Sequence, residues 1–207
     1  MNRRRAILIW VALALVVAVP IIAATMSPQL AWRSPIYIAA GFAGIVAMSL
    51  LLIQPLLAGG HLPSLPAPKG RRIHRLVGLA LVSAVAIHVA ALWQTSPPDV
   101  IDALLFVSPT PFSAWGVVAM WTVFASALLA AFRKRLGLRP KTWRLGHTAL
   151  AGITVIGSVV HAILIEGTME TMSKFALCAL VIIATAKVIY DLKIWTFKPR
   201  PKNGSPS

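Results

Sequence analysis

Six apolar runs of about the 20 residues needed to cross a bilayer as helix dominate the chain, at 6–26, 35–58, 73–93, 113–132, 146–166 and 173–195. Within lipid the backbone must satisfy its own hydrogen bonds, which leaves helices or closed barrels. Barrel strands are short and alternate in polarity, and none of the six runs does so. The chain is 58% hydrophobic and 12% charged, with a mean hydropathy of +0.80, which is far from the balance of a soluble domain. The expected fold is therefore all-α, a bundle of six transmembrane helices. Residues 1–34 form an anchor helix and an outer loop, 35–195 form the main membrane domain, and 196–207 form a disordered tail. The first run has a basic start, as a signal peptide has, but it is long for one and lacks a good small-x-small cleavage site. It reads as an uncleaved anchor.

Charge sets the expected orientation. Arg3, Arg4 and Arg5 precede the first run, and Lys69, Arg71, Arg72 and Arg75 lie at the second connection. Arg133, Lys134, Arg135, Arg139, Lys141 and Arg144 fill the fourth connection, and Lys193, Lys198, Arg200 and Lys202 follow the last run. In a six-span chain all of these fall on one side, opposite Arg33 and Lys174. The positive-inside rule makes that side cytoplasmic, with both termini on it. The expected location is a bacterial-type inner (plasma) membrane. The net charge of +15 is then a topology signal. Basic residues split among membrane-proximal loops do not form a nucleic-acid footprint.

Trp32, Trp93 and Trp115 fall at the outer boundary and Trp143 and Trp195 at the inner one, as an interfacial belt does. The long connection 94–112 contains several prolines, and residues 99–107 can form a short amphipathic turn that caps the outer end or meets a partner. The single cysteine, Cys178, excludes an internal disulfide and a cysteine cluster, and reads as a packing residue. There is no C-x-x-C-H motif for covalent haem attachment.

Against this apolar background four of the five histidines stand in two pairs. His74 and His88 lie on the third span, in RRIHRLVGLALVSAVAIHVAALW. His147 and His161 lie on the fifth, in RLGHTALAGITVIGSVVHAILIEG. Both spacings are fourteen residues. On a helix that is about 40° short of four turns, so both members of a pair point the same way, about 21 Å apart along the axis. The two spans run in the same direction, so His74 meets the depth of His147, and His88 that of His161. Each such couple can ligate the iron of one flat macrocycle from opposite faces, which predicts two b-type haems between the third and fifth helices. A bare ion is disfavoured, because two neutral imidazoles without carboxylate or thiolate bind metal weakly. A proton relay and plain packing are the other readings of intramembrane histidine.

Small residues lie four positions inward from each histidine, at Gly78, Ala84, Ala151 and Gly157. They leave room for a ring, although small residues also mark ordinary helix interfaces in membranes. Leu81 and Thr154 lie midway and would separate two rings. Arg75 and Arg144 flank the cytoplasmic histidines, where they can pair with haem propionates or act only as positive-inside charges. His61 sits in a loop without a role. Glu166 and Glu170, four apart at the outer mouth, read as a solvated helix end before an attractor of cationic substrate.

Six spans with two histidines on the third and two on the fifth resemble the ferric reductase-like transmembrane domain. That superfamily includes ferric reductases, NADPH oxidases and the haem-binding subunit of the periplasmic methionine sulfoxide reductase system. The resemblance covers residues 35–195 and rests on the paired H-x13-H. It implies an inner b haem on His74 and His147 and an outer one on His88 and His161. The fifth-span spacing is often one residue shorter in the oxidases. Ferric reductases and oxidases also append a flavin and NAD(P)H domain. No G-x-G-x-x-G or other nucleotide fingerprint occurs here.

The expected function is thus a diheme electron-transfer subunit, of oxidoreductase type and without its own nucleotide domain. A separate redox protein or quinol would supply electrons, with FAD, FMN or a quinone on the partner's side. Ferric chelate, oxygen or a periplasmic acceptor protein would receive them. The alternative is a non-redox transporter or proton- or metal-handling protein that uses the same histidines. Transporters show broken helices and midplane carboxylates. Here the acids lie at span ends, and the two histidine-bearing runs contain no proline.

Overall fold

The computed structural model describes residues 3–192. The two N-terminal residues and residues 193–207, including Trp195 and the segment expected to be a disordered tail, lie outside them. Among the described residues the chain is entirely helical: α1 (Arg3–Thr25), α2 (Pro35–Ala58), α3 (Ala67–Thr95), a short α4 (Pro97–Leu104), α5 (Pro111–Ala131), α6 (Pro140–Leu164) and α7 (Thr171–Asp191). All but α4 are long and apolar enough to cross a membrane. The fifth span is therefore α6, because α4 occupies the long connection.

Helix ends follow local chemistry. Proline opens α2, α4, α5 and α6, where its missing N–H has no intrahelical partner to lose. Ser34 caps α2, its Oγ accepting from the Tyr37 N–H at 3.3 Å. After α2 the chain turns through Gly60 at φ +67°, a conformation that costs glycine nothing. Glu170 caps α7, its two carboxylate oxygens accepting from the N–H groups of Met172 and Ser173 at 2.7 and 2.6 Å. Those hydrogen bonds hold its carboxyl below the usual carboxylate range. Glu170 thus caps the start of α7 and does not form a helical pair with Glu166.

Two helical hairpins organise the bundle. α2 packs most extensively on α3, and α5 on α6. α7 closes against α2 and α6, while α1 rests on α2 and α7 at the edge. The core is Met48, Leu51 and Leu52 of α2, Leu81 of α3, Val155 and Val159 of α6, and Leu177, Cys178 and Val181 of α7. Cys178 is a packing residue there, 2% exposed. α3 and α6, which carry the histidines, have almost no close backbone approach to one another.

Within the second hairpin, Thr154 of α6 is 3% exposed and donates to Thr122 Oγ1 of α5 at 2.9 Å. Thr122 in turn donates to the Val118 carbonyl at 2.9 Å. A hydrogen bond between helices in hydrocarbon contributes about 0.6–2 kcal/mol. Thr154→Val is expected to destabilise the detergent-solubilised protein by that amount in a denaturant titration. A double-mutant cycle with Thr122→Val should then show the losses to be non-additive. Full additivity would mean that the two hydroxyls do not act together.

Candidate functional site

All four paired histidines are held by the helix behind them. His88 Nδ1–H donates to the Ala40 carbonyl of α2 at 2.7 Å, and His161 Nδ1–H to the Phe112 carbonyl of α5 at 2.9 Å. His74 Nδ1–H donates to the Gln54 carbonyl at 3.2 Å. His147 Nδ1 lies 3.0 Å from Ser126 Oγ. A carbonyl can only accept, so at least three rings carry their proton on Nδ1. Nε2 then presents its lone pair and bonds to nothing among the described residues. Fixing the tautomer through the far nitrogen is how proteins prepare an imidazole as a ligand.

The rings meet as the spacing requires. His74 and His147 have centroids 6.4 Å apart, with planes at 76°. His88 and His161 are also 6.4 Å apart, with planes at 83°. One couple sits toward the end where the basic connections gather, here the basic end, and the other toward the far end. The rings thus bridge a gap that the backbones of α3 and α6 leave open.

The supporting residues repeat as regularly as the histidines. Ala40, Gly44 and Gln54 on α2 correspond to Phe112, Gly116 and Ser126 on α5, each 72 positions later. His74 and His88 correspond to His147 and His161, each 73 later. The two hairpins are thus parallel repeats of one unit, the arrangement that places a site on the axis between them. A Cβ on Gly44 would lie 3.2 Å from His88 Nδ1, and one on Gly116 only 2.7 Å from His161 Nδ1. Both glycines leave room for an imidazole that a side chain there would crowd.

Gly78 and Gly157 do other work. A Cβ on Gly78 would meet Gln54 Nε2 at 3.1 Å, and one on Gly157 would meet the Trp115 carbonyl at 3.0 Å. These two glycines set the approach of the backing helices, and helix packing is the reading that their contacts favour. Leu81 and Thr154 are buried between the two histidine pairs. Arg75 and Arg144 are exposed at the basic end and form no ion pair among the described residues.

A cavity of about 770 Å³ opens beside the far pair, lined by His88, His161, Gly44, Gly116, Leu81 and Thr154 among others. Val100 and Leu104 of α4 help to roof it. At the basic end Trp143 lies flat on His147, with centroids 5.3 Å apart and planes at 8°. The Arg133 guanidinium lies over the same indole, 4.3 Å from its ring centre. Trp143 is thus a support of an imidazole as well as an interfacial aromatic. His61 is not a solitary loop residue either. Its Nε2 lies 3.3 Å from Asp191 Oδ2, without hydrogen-bond alignment, and that carboxylate also accepts from Lys187 Nζ at 2.8 Å.

The pattern of histidines alone could not reveal Ala40, Phe112 and Ser126, which contribute through a carbonyl or a common hydroxyl. Gln54 carried a signal, as the one amide in an otherwise apolar run. Gly44 and Gly116 carried another, through their common offset. Among the described residues no group of three or more His, Cys, Asp or Glu could hold a bare metal ion.

Fold and composition together define a multi-pass helical membrane protein with two pre-oriented histidine pairs in its interior. Comparison with family models, curated proteins and solved structures finds no match.

Proposed function

We propose that this protein is a diheme b-type electron carrier of the ferric reductase-like kind. It would relay electrons across an inner (plasma) membrane from a donor on the basic, cytoplasmic side to an acceptor at the far, outer side. The observation that carries this reading is the twofold recurrence of one geometry. Each pair has its rings 6.4 Å apart, with Nδ1 engaged and Nε2 free. A first-row metal bonds an imidazole nitrogen at about 2.0–2.1 Å, and with that nitrogen roughly 1.1 Å from the ring centre, two rings on opposite sides of one iron have centres about 6.3 Å apart. The donor set agrees: two imidazoles suffice where a macrocycle supplies the remaining nitrogens, but not for a bare ion.

When bound, such a haem supplies one-electron chemistry without an open coordination position. The chain's own residues hold and orient. Ala40, Gln54 and Phe112 accept from the imidazoles through their carbonyls, and Ser126 and Trp143 brace His147. Leu81 and Thr154 keep the two sites apart. Arg75 and Arg144 provide positive charge beside the basic-end pair, where they can face carboxylates. The donor would be a flavoprotein or quinol, and the acceptor a ferric chelate, oxygen or a periplasmic redox protein.

The test is an oxidised and a dithionite-reduced absorption spectrum of the purified protein, with haem quantified per chain. The expected result is about two low-spin b haems, as two bis-histidine sites require. A colourless protein from haem-replete cells would overturn the reading and leave a transporter in its place.

A further inference from the structure

The far-end cavity holds a charge that the histidines do not explain. Lys174, on the first turns of α7, is 7% exposed and lines that cavity. Its ammonium donates to the Ile165 carbonyl at 3.0 Å. An ammonium has three donors, so two remain without a partner among the described residues. Several other polar groups on the cavity wall are engaged with one another. Asp99 accepts from Ser96 Oγ at 2.5 Å, and the hydroxyls of Ser108, Thr110 and Ser113 bond one another. Arg33 stacks over Tyr37 at 4.5 Å. Glu166 is exposed and forms no ion pair with Lys174 among the described residues.

A buried cation needs an anion or a full set of acceptors. The rest of the wall sets the shape of what brings that anion. Ile45, Met48, Val85, Val89 and Met120 make it largely apolar. A small hydrated anion gains nothing from such a wall, whereas an apolar body with one carboxylate satisfies both features. We propose that Lys174 anchors the carboxylate of an apolar ligand seated in the far-end cavity. Two sources share that chemistry: a propionate of a haem on His88 and His161, or a separate amphiphilic acid. The first source rests on the function proposed above, and the second does not. The bland alternative is that Lys174 only satisfies the end of α6, because Ile165 is the residue at which that helix stops.

The experiment compares wild type, Lys174→Met and Lys174→Arg in nanodiscs. Haem and its dimethyl ester, which lacks free carboxylates, are loaded in parallel, and binding of decanoate is measured against decanol as a partition control. For a propionate, Lys174→Met should weaken haem retention about tenfold, and arginine should restore it. The ester should bind wild type about tenfold more weakly than haem does. That penalty should shrink in Lys174→Met, leaving only what the other pair contributes. For a separate acid, haem retention stays level, and decanoate binding falls about tenfold in Lys174→Met while decanol is unaffected. Identical haem, ester and decanoate behaviour in wild type and Lys174→Met would overturn the proposal and leave the helix-end role. If Lys174→Met does not fold, wild type still decides through ester against haem and decanoate against decanol; no difference in either comparison overturns it. A wild type that takes up no haem refutes the histidine reading alone, since the decanoate arm stands without it.

Discussion

His88→Ala is expected to lower the haem content from about two per chain to about one, and to leave the surviving haem with the spectrum of the His74–His147 site. His74→Ala should do the converse. The reason is geometric. Each pair takes one ring from α3 and one from α6, and the members of a helix are fourteen residues, about 21 Å, apart. Losing one imidazole would leave a single histidine to hold the group at that depth, and among the described residues no group of three or more His, Cys, Asp or Glu could hold a metal in its stead. The other pair keeps its own carbonyl and hydroxyl partners. Redox titration of each variant should resolve one component where wild type shows two. Equal haem content in wild type and both variants would break the assignment of these histidines. Loss of both haems in either variant, with circular dichroism unchanged, would mean that the two sites are not independent.

Gly116→Ala is expected to cost most of the His161 site while sparing the His74 site. The new methyl carbon would lie 2.7 Å from His161 Nδ1 and 2.9 Å from its Cε1. The ring cannot simply move aside, because Nδ1 is bonded to the Phe112 carbonyl one helical turn earlier. Relief requires breaking that bond or displacing α5 from α6, and either moves Nε2 from its position. Gly44→Ala should act in the same direction but more weakly, since its methyl would sit 3.2 Å from His88 Nδ1. Gly152→Ala is the control, with open space around it. The expected order of far-pair haem retention is Gly152→Ala equal to wild type, then Gly44→Ala, then Gly116→Ala. If Gly116→Ala bound haem as wild type does, the glycine would be a general packing residue.

The sequence by itself determined the span count, the gathering of basic residues at one end, and the pairing of histidines by depth. These are one-dimensional properties. Hydrophobic run length is set by bilayer thickness, and a spacing of fourteen is set by helical pitch, so neither needs a neighbour to be read. It also placed Leu81 and Thr154 between the pairs and Cys178 in packing. The tertiary structure alone decided what stands behind each imidazole. Backbone carbonyls of Ala40, Gln54 and Phe112 carry no residue-type signature, and the tautomer they impose depends on how α2 and α5 lie on their partners. Gly78 and Gly157 look in sequence like gaps for a ring, yet they meet the backing helices, because a glycine's use depends on which side a second helix approaches. Trp143 had the position of an interfacial aromatic but lies flat on His147. Lys174, one of two far-side cations in the chain, proved to be a buried ammonium in a cavity wall. A side chain's partners come from helices distant in sequence, and only the packing of the two hairpins brought them together.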